Sequence, residues 1–420
     1  MTNLPAQPEL LLPAGSERKA GIAFSYGADA VYVGAAGFSM RPDAVAMDPA
    51  ALASAVAMAH ARDKRLYVCV NSMLFDDDLA ALCRWVEETR EIPFDAIIVS
   101  DAGAFSTIRS MRDDVELHIS TQAGVANVAS ALFWQTAGAD RVILAREVSL
   151  AQTTAICAAV DIPVEAFVHG AMCTAISGRC LLSAHMTGRS GNRGDCKHSC
   201  RWDYQLVEAK RPGEAIDIYE TGRETIFLGS ADLCMLPLLP DLLATGIASL
   251  KIEGRMKNEH YLAVVTKVYR SALDAYAADP QAWSCREDWL AELDTVTHQP
   301  YSTGFAEGYP TEDPARLQSP GRLYGTHEIV ATIREQSANS LVVEVKNPLS
   351  AGETLEWISP AGSGLVTIHA LGSLDGESVD QVHPGTAAVI VVDEAWPGDE
   401  SAIFRRELSA TPRREPAVEY

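Results

Sequence analysis

Short apolar runs alternate with amphipathic stretches over the first two thirds of the chain. Each run is rich in β-branched residues and is bounded by polar or glycine positions, as expected of a parallel strand buried on both faces. Eight such strands are predicted, in ELLLPAG, AVYVGA, RLYVCVN, AIIVSD, ELHISTQ, RVILAR, VEAFVHG and SLKIEGR. Helical periodicity fills most of the intervals, at 47–62, 76–90, 102–112, 127–137 and 148–158. The alternation predicts an α/β fold, a (β/α)8 barrel of the TIM type.

The regular spacing breaks before the last of these strands, where an insertion at 171–248 carries several cysteines. Two further helices are predicted at 257–278 and 283–296. Alternating residues broken by Gly, Pro, Asn and Asp then predict six strands of a small β-barrel or sandwich, in GTHEIVATIRE, SLVVEVKN, TLEWISP, GLVTIHAL, TAAVIVVD and SAIFRRE. We therefore expect a barrel domain at 1–280, a helical linker at 281–318, an all-β barrel domain at 319–410 and a flexible tail at 411–420.

The charge and the hydropathy of the chain limit which partners it can bind. The formal net charge of −22 repels polyanions over most of the surface, so any contact with RNA must be local. The first residues show no basic stretch leading into an apolar run, and no window approaches the length of a membrane span. We expect a cytoplasmic protein that does not contact a membrane.

Nine cysteines in such a chain point to metal or redox chemistry before disulfides. Cys69, Cys83, Cys157 and Cys285 stand in apolar or helical contexts typical of buried thiols. Cys173, Cys180, Cys196 and Cys200 are separated by six, fifteen and three residues. Four thiolates suit an iron-sulfur cluster, although this spacing leaves zinc and metal-free thiols open.

Two further features of the sequence bear on this set of four cysteines. Cys234, at the head of an apolar helix, is an alternative ligand. Between Arg179 and Arg201 the chain carries five basic residues, Arg179, Arg189, Arg193, Lys197 and Arg201, against the single acid Asp195. These charges either attract an anionic substrate, such as a phosphate backbone or a carboxylated metabolite, or neutralise nearby acids and thiolates.

The segment EAFVHGAMCTAISGRCLLS resembles the signature of the collagenase-like peptidase family, number thirty-two of the group with unassigned mechanism. The positions that carry the resemblance are Glu165, Phe167, Gly170, Cys173, Gly178, Cys180 and Ser183. The opening LLPAGS, the later SLKIEGR and the β-rich last third match as well. The resemblance spans nearly the whole chain.

The length, the segment NRGDCKHSCRWDY and the β-rich domain are similar to the branch of that family that hydroxylates tRNA. This resemblance implies formation of 5-hydroxyuridine at the wobble position, without oxygen, with a 4Fe-4S cluster and with prephenate as the hydroxyl donor. It also implies Cys173, Cys180, Cys196 and Cys200 as cluster ligands. Some relatives replace the last of these four cysteines and take a ligand further downstream, so Cys234 stays an alternative ligand in this chain. Sister branches hydroxylate a cytidine of 23S ribosomal RNA or precursors of ubiquinone.

The family's name implies proteolysis, for which the sequence gives little local support. It contains neither HExxH nor GxSxG, although a Ser/His/Asp set could assemble around His118, His169, His185 or His198. GxGxxG after the first strand and the P-loop motif are also missing, which argues against dinucleotide and P-loop binding. The C-terminal domain either contacts RNA or partners or buttresses the barrel.

Barrel enzymes place their sites at the carboxyl ends of the strands, so polar residues near those ends are the candidates for the site. The predicted catalytic residues are Glu165, His169, Lys251, Glu253 and Arg255, and the predicted substrate-binding residues are Arg41, Asn71, Gln122 and Arg146. Arg255 and Lys251 suit a donor anion, Gln122 and Asn71 the edge of a base, and Glu165 or Glu253 proton transfer. Alternatively, Lys251, Glu253 and Arg255 form an ion-pair network that closes the barrel.

Overall fold

A computed structural model describes most of the chain. The described residues are 7–40, 46–172, 182–190, 192, 199, 219–221, 224–226, 230–308, 323–337, 339–392, 396 and 398–408. Among them, Cys69, Cys83, Cys157, Cys234 and Cys285 are free thiols. The predicted ligands Cys173, Cys180, Cys196 and Cys200 lie outside these ranges, as does Arg41.

The predicted barrel is confirmed. The first seven strands are β1 (Glu9–Pro13), β2 (Ala30–Gly34), β3 (Arg65–Val70), β4 (Ala96–Val99), β5 (Glu116–Ile119), β6 (Arg141–Ile143) and β7 (Val164–Gly170). The helices between them are α1 (Glu17–Ser25), α2 (Pro49–His60), α3 (Asp76–Glu88), α4 (Ala102–Met111), α5 (Val128–Thr136) and α6 (Leu150–Ala159). Side chains of Ser16, Asp48, Asp101, Asn127 and Ser149 cap helices by accepting backbone N–H bonds, which fixes where those helices begin.

The insertion adds short elements before the barrel closes. These are α7 (Leu182–Thr187), β8 (Tyr219–Thr221), β9 (Glu224–Ile226), β10 (Asp232–Cys234) and α8 (Leu239–Ala244). The strand β11 (Ser249–Ile252) then pairs in parallel with both β1 and β7, which completes a ring of eight parallel strands. Strand β10 pairs antiparallel with the end of β7.

Alternation along each barrel strand produces two separate cores. Outward residues such as Leu10 and Leu12 of β1 belong to the large cluster that packs the helices on the barrel. Inward residues such as Leu11, Tyr67 and Ile98 form a cluster of their own, with Phe167 packed against it. The barrel interior is therefore filled by side chains, and in barrels of this type ligands bind at the carboxyl ends of the strands.

The predicted C-terminal barrel is also confirmed. After α9 (Glu259–Ala278), α10 (Glu287–Leu293) and β12 (Tyr301–Ser302), the strands are β13 (His327–Ser337), β14 (Ser340–Val345), β15 (Leu349–Ser350), β16 (Thr354–Ile358), β17 (Ser363–Gly372), β18 (Gln381–Val382), β19 (Ala387–Val392) and β20 (Ile403–Glu407). Six of them close an antiparallel barrel in the order β13, β14, β19, β17, β16, β20. Strands β15 and β18 form a small sheet of their own, and β12 pairs with β10.

A buried arginine ties the two barrels together. Arg405 of β20 is 3% exposed and donates hydrogen bonds to Glu292 of α10 at 2.8 Å and to Glu356 of β16 at 2.9 Å. The Tyr26 hydroxyl, at the end of α1, donates to the Ile358 carbonyl at 2.8 Å. The C-terminal barrel thus rests on the outer helices α1, α9 and α10, where it buttresses the larger barrel.

Within the described ranges, we find no helix with both the length and the apolar character needed to cross a bilayer.

Candidate functional site

The chain leaves the barrel at Gly170, where β7 meets the end of β11. Gly170 has φ +104°, and a Cβ built on it would lie 2.4 Å from the Glu253 carbonyl oxygen. Both the left-handed backbone and this close approach require glycine. The insertion therefore begins directly beside Glu253, at the carboxyl end of the barrel.

Hydrogen bonds anchor the described parts of the insertion on opposite sides of this end. Near β7, the Ser230 hydroxyl donates to the Met172 carbonyl at 2.7 Å, which joins the start and the return of the insertion. On the far side, Met73 N donates to the Asn192 carbonyl at 2.9 Å, just after β3. Because β3 and β7 lie opposite each other in the ring of eight strands, these described residues of the insertion are anchored on opposite sides of the mouth of the barrel.

Charged side chains fill the opposite end of the barrel interior. Arg141 Nη1 donates to Glu9 Oε1 at 2.6 Å and to Glu165 Oε2 at 2.9 Å, and Lys251 Nζ donates to Glu165 Oε1 at 2.9 Å. Glu9 and Arg141 begin their strands, and Glu165 is the second residue of β7. The predicted location of Glu165 at the mouth is therefore wrong, because Glu165 lies at the amino end of β7.

The buried Glu165 carboxylate is stabilised in its charged form. Burial alone would raise the pKa of Glu165, but the charges of Lys251 and Arg141 outweigh it and lower the pKa to about 2. Lys251 is 3% exposed, and its Nζ also lies 4.4 Å from the ring centroid of Tyr32. For Lys251, the structure thus matches the alternative of an ion-pair network inside the barrel.

Two arginines at the mouth differ from Lys251 in their surroundings. Arg255 is 6% exposed, and its Nη1 donates to the Ser39 hydroxyl at 2.6 Å, with Gly34 leaving room for both groups. The half-buried Arg146 lies with its Cζ 4.1 Å from the ring centroid of Phe167. Among the described residues, no carboxylate forms an ion pair with either guanidinium. These two cations follow β6 and β11, the strands that flank β7, and at the same end of the barrel they form a site suited to an anion.

Amides line another part of the mouth. Asn71 Oδ1 accepts from Met40 N at 3.2 Å, and Asn71 Nδ2 donates to Gln122 Oε1 at 3.0 Å. The Ser120 hydroxyl also donates to that Gln122 oxygen. Asn71 thus links the loop after β2 to Gln122, just beyond β5.

His169 is not brought together with the other predicted catalytic residues. Its ring packs among Tyr261 and Tyr269 of α9 and Tyr301 of β12, at centroid distances of 6.0, 5.5 and 5.2 Å. Burial lowers the pKa of His169 to about 3, so the ring is neutral near pH 7. This position is on the outer side of the barrel wall, away from Lys251.

Cys234, the alternative ligand, lies opposite His169 on β10 and belongs to the large hydrophobic core. Burial raises the pKa of its thiol to about 12. In the part of the chain that the structure describes, no three His, Cys, Asp or Glu side chains gather as metal ligands. The predicted ligands Cys173, Cys180, Cys196 and Cys200 lie beyond the described ranges, so their role stays a prediction.

Sequence reasoning missed Arg141, Glu9, Ser39 and the role of Phe167. A signal existed for the first two, since both are charged residues at the start of an apolar run. Phe167 follows Glu165 by two positions, which places both on one face of β7. Nothing local distinguishes Ser39, because its partner Arg255 is more than two hundred positions away.

Gly170→Ala tests the close approach of the Gly170 and Glu253 backbones, where β7 ends and the insertion begins. We expect a loss of about 2–4 kcal/mol in the free energy of unfolding, because the methyl group meets the Glu253 backbone and alanine resists this φ. Urea denaturation measures it. The control is Gly138→Ala, which shares a positive φ of +92° but has nothing within 4 Å of the added carbon, and should cost about 1 kcal/mol. Equal losses in both variants would contradict the close approach at Gly170.

Comparison with known proteins agrees with this architecture. The model of peptidase family U32 matches residues 15–315, and that of the peptidase family U32 C-terminal domain matches 325–401. The tRNA hydroxylation protein P1 of Bacillus subtilis is 35% identical over 90% of this chain and 90% of its own length. The tRNA hydroxylation protein P of Escherichia coli is 33% identical over 90% of this chain and 92% of its own. A collagenase of Porphyromonas gingivalis is 31% identical over 72% of this chain and 73% of its own.

The fold and the mouth define a TIM-type barrel protein with an insertion after β7 and, at its candidate site, two arginines that form no ion pair with the described residues. With matches that cover most of both domains, the chain belongs to peptidase family U32.

Proposed function

We propose that this protein is a tRNA-modifying enzyme that hydroxylates the wobble uridine to 5-hydroxyuridine without oxygen. The observation that carries the proposal is the presence of Arg255 and Arg146 at the mouth where the insertion begins, with no acid paired to either among the described residues. Such a pair suits the two carboxylates of prephenate, the proposed hydroxyl donor. The names of the Bacillus subtilis and Escherichia coli relatives support tRNA as the substrate.

A 4Fe-4S cluster fits the chemistry of the available donors. Cys173, Cys180, Cys196 and Cys200 supply four soft thiolates from one segment, and Met172 and Ser230 fix the ends of the insertion at the mouth. When bound there, the cluster would supply electron transfer or a Lewis-acidic iron beside the substrate.

The side chains of the barrel would perform the remaining tasks. Arg255 and Arg146 bind and orient the donor anion, and Gln122 offers a side-chain amide for the edge of the uracil ring. Glu253 stands at the mouth, two residues before Arg255, and is the candidate for proton transfer. Deeper in the barrel, Lys251 and Glu165 neutralise each other and hold the side chains under the site in place.

A deletion strain tests the activity. We expect total tRNA from it to lack nucleosides derived from 5-hydroxyuridine when analysed by mass spectrometry, and the wild-type gene to restore them. A gene with Cys200→Ala should not restore them, whereas the control Cys83→Ala, a half-buried thiol of α3, should. Protein purified without air should contain iron and sulfide that the Cys200→Ala protein lacks. Unchanged nucleosides in the deletion strain would eliminate the proposal.

Peptidase activity is the second candidate, favoured by the name of the Porphyromonas gingivalis relative. The histidines considered as bases lie in different elements: His118 is hydrogen-bonded to Glu116 in β5, His169 packs among tyrosines and His185 lies in α7. His198 lies outside the described residues. Cleavage of gelatin by the anaerobically purified protein, undiminished in Cys200→Ala, would favour this candidate over tRNA hydroxylation.

A further inference from the structure

The half-buried ring of Phe167 contacts two cations, Arg146 at the mouth and Lys251 deeper in the barrel. Arg146 Cζ lies 4.1 Å from its centroid and Lys251 Nζ lies 5.5 Å from it. The face of an aromatic ring attracts cations, and the attraction is stronger where water is excluded. Phe167 is itself held in place, because it pairs in register with Lys251 of β11 and packs on the inner core of the barrel.

The two cations differ in what else neutralises them. Lys251 donates to the buried Glu165 carboxylate at 2.9 Å, so its charge is compensated from below. For Arg146, the ring of Phe167 is the partner that the described residues provide. A guanidinium that stacks by its flat face keeps its N–H edges available for hydrogen bonds in the plane of the group.

We propose that Phe167 is a positioning residue, which holds the guanidinium of Arg146 flat so that its edge can bind a carboxylate of the donor. Phe167 acts through Arg146 and does not itself contact the reacting atoms. This inference rests on the proposed function, since it takes the anion at the mouth to be the hydroxyl donor. Phe167 is held in turn by its contact with Lys251, which is ion-paired with the buried Glu165.

The test measures binding of prephenate to the protein purified without air, by isothermal titration calorimetry. We expect Phe167→Leu to weaken binding about 3- to 30-fold, because leucine retains an apolar side chain but offers no ring face to the guanidinium. Phe167→Tyr keeps the ring and should bind as the wild type does. The matched control is Phe94→Leu, which removes a ring under Arg112 (5.2 Å) at the opposite end of the barrel and should leave binding unchanged.

A double-mutant cycle with Arg146→Ala shows whether Phe167 acts through this arginine. We expect Phe167→Leu to have no further effect on binding once Arg146 is absent. An equal loss in both backgrounds would overturn the inference, and so would normal binding by Phe167→Leu. If Phe167→Leu does not fold, Phe167→Met takes its place in the cycle, since methionine fills the volume with a flexible apolar chain.

The outcomes separate this inference from the proposed function. Normal prephenate binding by both Arg146→Ala and Arg255→Met would remove the donor site itself, and the role of Phe167 with it. Weakened binding by Arg146→Ala, together with normal binding by Phe167→Leu, would remove only the role of Phe167.

Discussion

Arg255→Met should lower the rate of tRNA hydroxylation by on the order of 100- to 1000-fold, while the protein remains folded. Arg255 is buried, donates to Ser39 and forms no ion pair among the described residues, so its charge is available to an incoming anion. Removing one partner of a buried, hydrogen-bonded charge pair costs about 2–5 kcal/mol, which corresponds to this range of rates. Methionine retains much of the apolar stem and leaves no carboxylate of the described residues unpaired.

The measurement is a steady-state assay without air, with tRNA and prephenate varied separately. We expect the specificity constant kcat/KM for prephenate to fall, with a smaller change in KM for tRNA, because the lost guanidinium serves the donor. Arg90→Met is the matched control, since Arg90 pairs with the exposed Glu87 at the other end of the barrel. Wild-type kinetics in Arg255→Met would exclude Arg255 from the site.

The architecture could be predicted from the sequence because each barrel strand is buried on both faces. Parallel strands of this kind are continuous apolar runs, such as Leu10, Leu11 and Leu12 of β1, and they stand out between amphipathic helices. The strands of the C-terminal barrel alternate instead, as β14 does between buried and half-buried positions. Both patterns are local, so no information from distant residues was needed.

The site was less predictable because its contacts join distant strands. Glu165 was assigned to the mouth on the assumption that polar residues in a barrel strand mark its carboxyl end. In the structure, charges also begin several strands, and Glu9 of β1 reaches Arg141 of β6 across the interior. A sequence shows that such charges exist, but the closed order of strands decides which of them meet.

The contact between the insertion and the far side of the mouth was likewise beyond the sequence. The length and cysteine content of the insertion were evident, but the contact between Met73 and Asn192 depends on β3 facing β7 across the ring. That contact places Asn192, a described residue of the insertion, beside the carboxyl end of β3.

Lys251→Met should destabilise the protein by about 3–5 kcal/mol, because it leaves the buried Glu165 carboxylate with one of its two cations missing. The double variant Glu165→Gln/Lys251→Met should recover a large part of this loss. In that variant Arg141 still pairs with Glu9 at 2.6 Å, so no charge of the network remains uncompensated. Urea denaturation at pH 7 compares the two, and equal stability of the single and double variants would show that Lys251 and Glu165 are not coupled.

The ion pair of Lys251 and Glu165 should also make the folded protein less stable at acid pH. The pKa of Glu165 is lowered from 4.5 to about 2 in the folded chain, so its charged form favours folding above pH 4.5. This contribution is lost as the pH falls from about 4.5 to about 2, because the unfolded chain takes up the proton first. The wild type should therefore lose stability more steeply over this interval than the double variant, which has no carboxylate at position 165. Parallel stability curves from pH 5 to pH 3 would place the acid sensitivity of the fold in other carboxylates.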